Sequence, residues 1–64
     1  MKTNISDFRF IKTGFGFYRV TYHSPATAKQ WSTVVNNMPL IDATKNEDNP
    51  KQKDLETLKF MCKL

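Results

Sequence analysis

The chain has 64 residues, 39% of them apolar, with ten Lys and Arg against six Asp and Glu for a formal charge of +4. That length suits one small domain spanning residues 1–64, marginal as a monomer or part of an assembly, and leaves no space for a separate substrate domain. One cysteine, Cys62, and one histidine, His23, exclude an intrachain disulfide framework and a cysteine-rich zinc site, and the short apolar runs point to neither a membrane span nor a secretory signal.

The charge is uneven along the chain. Lys2, Arg9, Lys12 and Arg19 stand against Asp7 alone in residues 1–24, whereas four lysines in residues 46–64 are matched by Glu47, Asp48, Asp54 and Glu56. The basic excess therefore belongs to the N-terminal part.

Aromatic and β-branched residues crowd the stretch from Phe8 to Val35 with alternating polarity, the period of strands rather than helices. Strands are expected at Phe8–Thr13 and Phe17–His23, joined through Gly14-Phe15-Gly16. With a two-residue loop, Phe10 would oppose Arg19 and both sheet faces would mix charge with apolar groups. A three-residue loop with Gly16 in the left-handed conformation instead sets Phe8 opposite Tyr22, Phe10 opposite Val20 and Lys12 opposite Tyr18, which segregates the faces. Ser24-Pro25 opens the next turn, and a third strand follows at Gln30–Asn36. Pairing His23 with Gln30 adds Trp31, Thr33 and Val35 to the apolar face. Arg9, Ile11, Thr13, Phe17, Arg19, Thr21, Gln30, Ser32 and Val34 then occupy the other.

The stretch Met38–Lys45 fits either a short helix begun by Asn37 and Pro39 or a fourth extended segment; one or two helical turns is the reading taken. Asn49-Pro50-Lys51-Gln52 has the form of an N-cap, a proline at the first helical position and a capping-box glutamine, which predicts a helix from about Pro50 to Lys63. Leu55, Leu58, Met61 and Cys62 form its apolar stripe. The expected fold is α+β: a three-stranded antiparallel meander over about residues 8–36, a short element at 38–45, and a C-terminal helix packed on the apolar sheet face.

Chemical motifs are sparse. Gly14-Phe15-Gly16 lacks the third glycine and following helix of a phosphate loop and reads as a hairpin turn. His23 has no nucleophile or second ligand at a motif spacing, and Cys62 falls on the stripe that faces the core. The carboxylates show no metal-binding spacing, and several lie where they favour a helix N-terminus. Trp31, Tyr18 and Tyr22 could form a base-stacking platform, but with one small core to fill they are read as packing. The expectation is therefore no enzyme, no cofactor, no metal and no small-molecule substrate.

One helix can cover one side of a three-stranded sheet, so the basic face should stay open. Arginine offers a planar fork for phosphates, Thr21, Gln30 and Ser32 can hydrogen-bond, and Phe17 can stack. The residues assigned to nucleic-acid binding are Arg9, Phe17, Arg19, Thr21, Lys29, Gln30 and Ser32. The alternative is a protein-interaction or self-association module using Ile11, Phe17 and Val34 on the same face.

The sheet-plus-helix layout resembles small three-stranded DNA-binding modules of the integrase arm-binding and AP2 type, which lay a sheet in the major groove; the likeness is one of architecture, without a matching motif. A second resemblance rests on Tyr18-x-Val20-x-Tyr22-x-Ser24-Pro25, Lys29-x-Trp31, Leu40-Ile41-Asp42-Ala43-Thr44-Lys45 and Asp54-Leu55-x-x-Leu58-Lys59. Over most of its length the chain looks like short proteins of bacteriophages infecting Bacteroides-type gut bacteria. That likeness implies a phage setting, in the host cytoplasm or the virion, and implies no activity or site residues.

Overall fold

The computed structural model describes residues 3–64. A short 3-10 turn, Ile5–Asp7, leads into three strands, β1 (Phe8–Gly14), β2 (Phe17–His23) and β3 (Gln30–Val35), followed by helices α1 (Met38–Thr44) and α2 (Gln52–Lys63). The strands form one antiparallel sheet in the order β1-β2-β3. The fold is α+β, with the last helix C-terminal.

The register follows from segregation of the faces. Phe8 pairs with Tyr22, Phe10 with Val20 and Lys12 with Tyr18, and β3 continues the pattern with His23 against Gln30, Tyr22 against Trp31 and Val20 against Thr33. Gly16 takes φ +77°, the left-handed conformation that a side chain would strain, and so closes the hairpin in this register. The link is tighter than a simple three-residue loop, because an irregularity between Lys12 and Gly14 lets Gly14 pair with Phe17 and extends β1 one residue beyond Thr13. At the other end β3 stops at Val35, one residue short of Asn36.

Ser24 to Lys29 carries the chain from β2 to β3. Ser24 N–H donates to the Lys29 carbonyl and Ala28 N–H to the Ser24 carbonyl, both at 2.9 Å. These bonds hold Ala28 at φ 59°, a left-handed position with no glycine or asparagine to announce it.

Helix α1 forms because Asn37 caps it: its side-chain oxygen accepts the Leu40 N–H at 3.2 Å, and Pro39 supplies a helical φ in the first turn. Its inner side delivers Leu40, Ile41 and Thr44 to the core. Thr44 is buried as a polar group, and its hydroxyl donates to the carbonyls of Leu40 at 2.8 Å and Ile41 at 3.3 Å.

Helix α2 starts later than the capping signature predicts. Its N-cap is Lys51, extended at ψ 143° and making no side-chain cap, and Gln52 is the first helical residue. Asn49 is therefore not the cap, and Pro50 precedes the helix rather than opening it. The Gln52 amide is engaged elsewhere: its Oε1 accepts the Thr3 N–H at 3.1 Å, and its Nε2 donates to the Thr3 carbonyl at 2.7 Å. The Thr3 hydroxyl donates to the Glu56 carboxylate. This two-point clasp ties the segment before β1 to the first turns of α2, so burying Thr3 leaves neither of its backbone groups without a partner.

Leu55, Leu58 and Cys62 are buried and Met61 is half-buried, as the stripe requires. They meet Phe8, Val20, Tyr22 and Val35 from the sheet, with Leu40 and Ile41 from α1 completing the core. Full burial of an aliphatic side chain of this size contributes about 1.5–3 kcal/mol. Both helices come after the sheet in the chain and add their apolar side chains to a core built on this one sheet face; the opposite face stays exposed.

Candidate functional site

The uncovered face is organised in cross-strand rows. Arg9, Thr21 and Ser32 make one row across β1, β2 and β3; Ile11, Arg19 and Val34 make the next, toward the hairpin. His23 and Gln30 extend the polar end, and Phe17 lies beyond Arg19 at the other. Ile11 is 50% exposed, Val34 54% and Phe17 45%, values that mark side chains with no covering element. The hairpin tip, Phe15, is 97% exposed.

Polar and apolar side chains therefore alternate across the face, Arg19 standing between Ile11 and Val34. On the β1–β2 side the face contains a shallow depression of about 450 Å³. Arg9, Ile11, Arg19, Thr21, His23 and Gln30 contribute to the lining, together with the carboxylate-bearing Asp7. Asp7 is already committed in part, its carboxylate accepting the Asn4 N–H at 3.3 Å. Among the described residues the ion pair formed is Lys59 with Glu56 on α2, so neither Arg9 nor Arg19 has a carboxylate within ion-pair distance, although Asp7 lines the same depression. Two guanidinium groups beside hydroxyl, amide and imidazole groups form a surface suited to anionic oxygen. The apolar side chains of the face, Ile11 at the depression and Phe17 and Val34 outside it, offer little to a small polar anion.

Of the residues selected from sequence, Arg9, Arg19, Thr21 and Gln30 meet at the depression. Ser32, paired with Thr21, and Phe17 share the face outside it. Lys29 lies in the β2–β3 turn, exposed, and is not brought to the depression. His23, which stands at no catalytic or metal-ligand spacing in the sequence, also reaches the depression. Its pairing with Gln30 was the available signal, since that register sets it at the same parity as Thr21 and Arg19.

The aromatic residues of the other face are packed. Tyr22 is buried, stacked on Trp31 with ring centroids 6.0 Å apart and planes at 19°, and Phe8 meets it at 5.1 Å. Lysines close over these rings. Lys63 stands 4.7 Å from the Trp31 centroid, Lys59 5.7 Å from Tyr22 and Lys45 5.8 Å from Tyr18. Their positive charge lies along the helical side of the molecule, away from the open face.

Cys62 is buried and donates to the Val20 carbonyl at 3.4 Å. Burial pushes its thiol up from the ordinary range, opposed by a backbone hydrogen bond from Tyr22, so the thiolate needed for nucleophilic chemistry is disfavoured. Among the described residues no group of three or more His, Cys, Asp and Glu is placed to hold a metal ion, and no helix is long and apolar enough to cross a membrane.

No protein-family model matches the chain, and comparisons with curated proteins and with solved structures returned no match.

Proposed function

We propose that the chain is a small non-enzymatic accessory protein, of the phage type its sequence resembles, that binds nucleic acid through the open face of its sheet. The observation that carries this reading is the placement of Arg9 and Arg19 on an uncovered face without a carboxylate partner, around a depression that also presents Thr21, His23 and Gln30. Phosphates supply the charge and geometry that two free guanidinium groups recognise, and the neighbouring hydroxyl and amide groups add hydrogen bonds.

Arg19→Glu tests it. Arg19 is exposed on the central strand, so its reversal should leave the melting temperature nearly unchanged while weakening nucleic-acid binding and flattening the log–log salt dependence by about one unit. A folded variant that binds normally removes the role. An unfolded variant would mean that the face is covered.

The exposure of Ile11, Phe17 and Val34 favours a second reading, a protein interface on the same face. Sedimentation showing a monomer at high concentration would remove its self-association form.

A further inference from the structure

We infer that the nucleic acid taken by this face is single-stranded, with bases laid against Ile11, Phe17 and Val34 and phosphates against Arg9 and Arg19. The inference rests on the nucleic-acid reading above and adds the form of the ligand. It comes from the order of side chains across the sheet rather than from their number.

A duplex groove is walled by phosphates on both sides and floored by base edges. A sheet entering it needs cations on its outer strands and hydrogen-bonding groups on its central strand. In the row nearest the hairpin this order is inverted, because Ile11 on β1 and Val34 on β3 flank Arg19 on β2. In the next row only Arg9, on β1, offers a cation to a wall, while the β3 position is Ser32. Docked in a groove, the two aliphatic side chains would lie against charged phosphate and strip water from it without replacing the lost hydrogen bonds.

A single strand reverses these demands. Its unstacked bases expose apolar π-faces, which match Phe17 and the aliphatic pair, and its one line of phosphates needs few cations. Arg19, between the aliphatic positions, can meet a phosphate or stack its guanidinium plane on a base. The nearly fully exposed Phe15 continues the aromatic surface around the hairpin end. On the opposite face Tyr22 is buried, Phe10, Tyr18 and Trp31 are half-buried, and lysines stand over the Tyr22 and Trp31 rings, so those rings are less free to stack than Phe17.

The test is fluorescence anisotropy at low salt with a labelled mixed-sequence single strand of about 12 nucleotides, within the footprint of small single-strand binders, and with the duplex of the same sequence. The single strand should bind at least about tenfold more tightly, and Phe17→Ala should cost about tenfold on the single strand with little effect on the duplex. Phe17→Trp should restore the affinity and show emission quenching on binding. Trp31 emission and the melting temperature report whether each variant is folded. If Phe17→Ala does not fold, Val34→Thr carries the same expectation with a smaller loss. Equal or tighter duplex binding, or a folded Phe17→Ala with unchanged single-strand affinity, overturns this inference and leaves the nucleic-acid reading standing. Failure of the folded wild type to bind either form overturns that reading itself.

Discussion

The two faces of one sheet are made from the same strands, alternate residues going to each, yet they obey different rules. On the covered face Val20, Tyr22 and Val35 are sealed by Leu55, Leu58 and Ile41, so each side chain is constrained by its neighbours' volumes. On the open face Ile11, Phe17 and Val34 are about as large and apolar but touch no covering element. An apolar residue therefore reports packing only where a second layer exists. The covered face should respond to substitution through stability and the open face through binding.

The largest break in that contrast is expected at Leu58, which is 0% exposed. Leu58→Ala should cost about 2–4 kcal/mol by lost burial plus a cavity. In a chain this small the loss amounts to a displacement of the melt by many degrees or to unfolding, and a shift of only a degree or two would mean that the stripe does not pack on the sheet. Next comes the clasp between Thr3 and α2. Gln52→Ala removes both amide bonds and leaves a buried residue's backbone groups seeking water, an expected loss of about 1–2 kcal/mol in chemical denaturation. An unchanged midpoint would show that the N-terminal segment is not held there.

Cys62 gives a smaller, pH-dependent effect. Because burial raises its folded-state value above that of the unfolded chain, the unfolded state loses the proton first as pH rises. The associated stability is fully present below the ordinary thiol range and declines as pH rises through it toward the raised folded value. Tyrosines and lysines also titrate at alkaline pH, so the measurement is the difference in melting temperature between wild type and Cys62→Ala. That difference should narrow on going from neutral to alkaline buffer, and a constant difference contradicts a buried neutral thiol. The smallest effect belongs to the open face: Val34→Thr should alter stability by no more than about 0.5 kcal/mol, and a large loss would mean that something covers Val34.

How far the structure could be read in advance differs between elements for one reason, the sequence distance of the interactions that form them. The hairpin register needed only the parity of neighbouring side chains and one left-handed glycine, both local. The α2 stripe likewise follows from helical spacing. The start of α2 misled, because Asn49, Pro50 and Gln52 form a plausible local capping arrangement while the Gln52 amide binds Thr3, 49 residues away. Ala28 gave no warning either, since its left-handed backbone is imposed by the Ser24 hydrogen bonds around it.

By itself, then, the amino-acid sequence determined the strand pairing, the separation of the two sheet faces, the helical stripe and the candidacy of Arg9, Phe17, Arg19, Thr21, Lys29, Gln30 and Ser32. Periodicity carries that information because strand and helix repeat at fixed intervals whatever surrounds them. Only the tertiary structure decided that His23 joins Arg9 and Arg19 at the depression while Lys29 does not, and that α2 begins at Gln52. Those outcomes depend on which distant groups satisfy one another's hydrogen bonds and on how the sheet brings separate strands together, and neither is encoded in the spacing of residues along a single element.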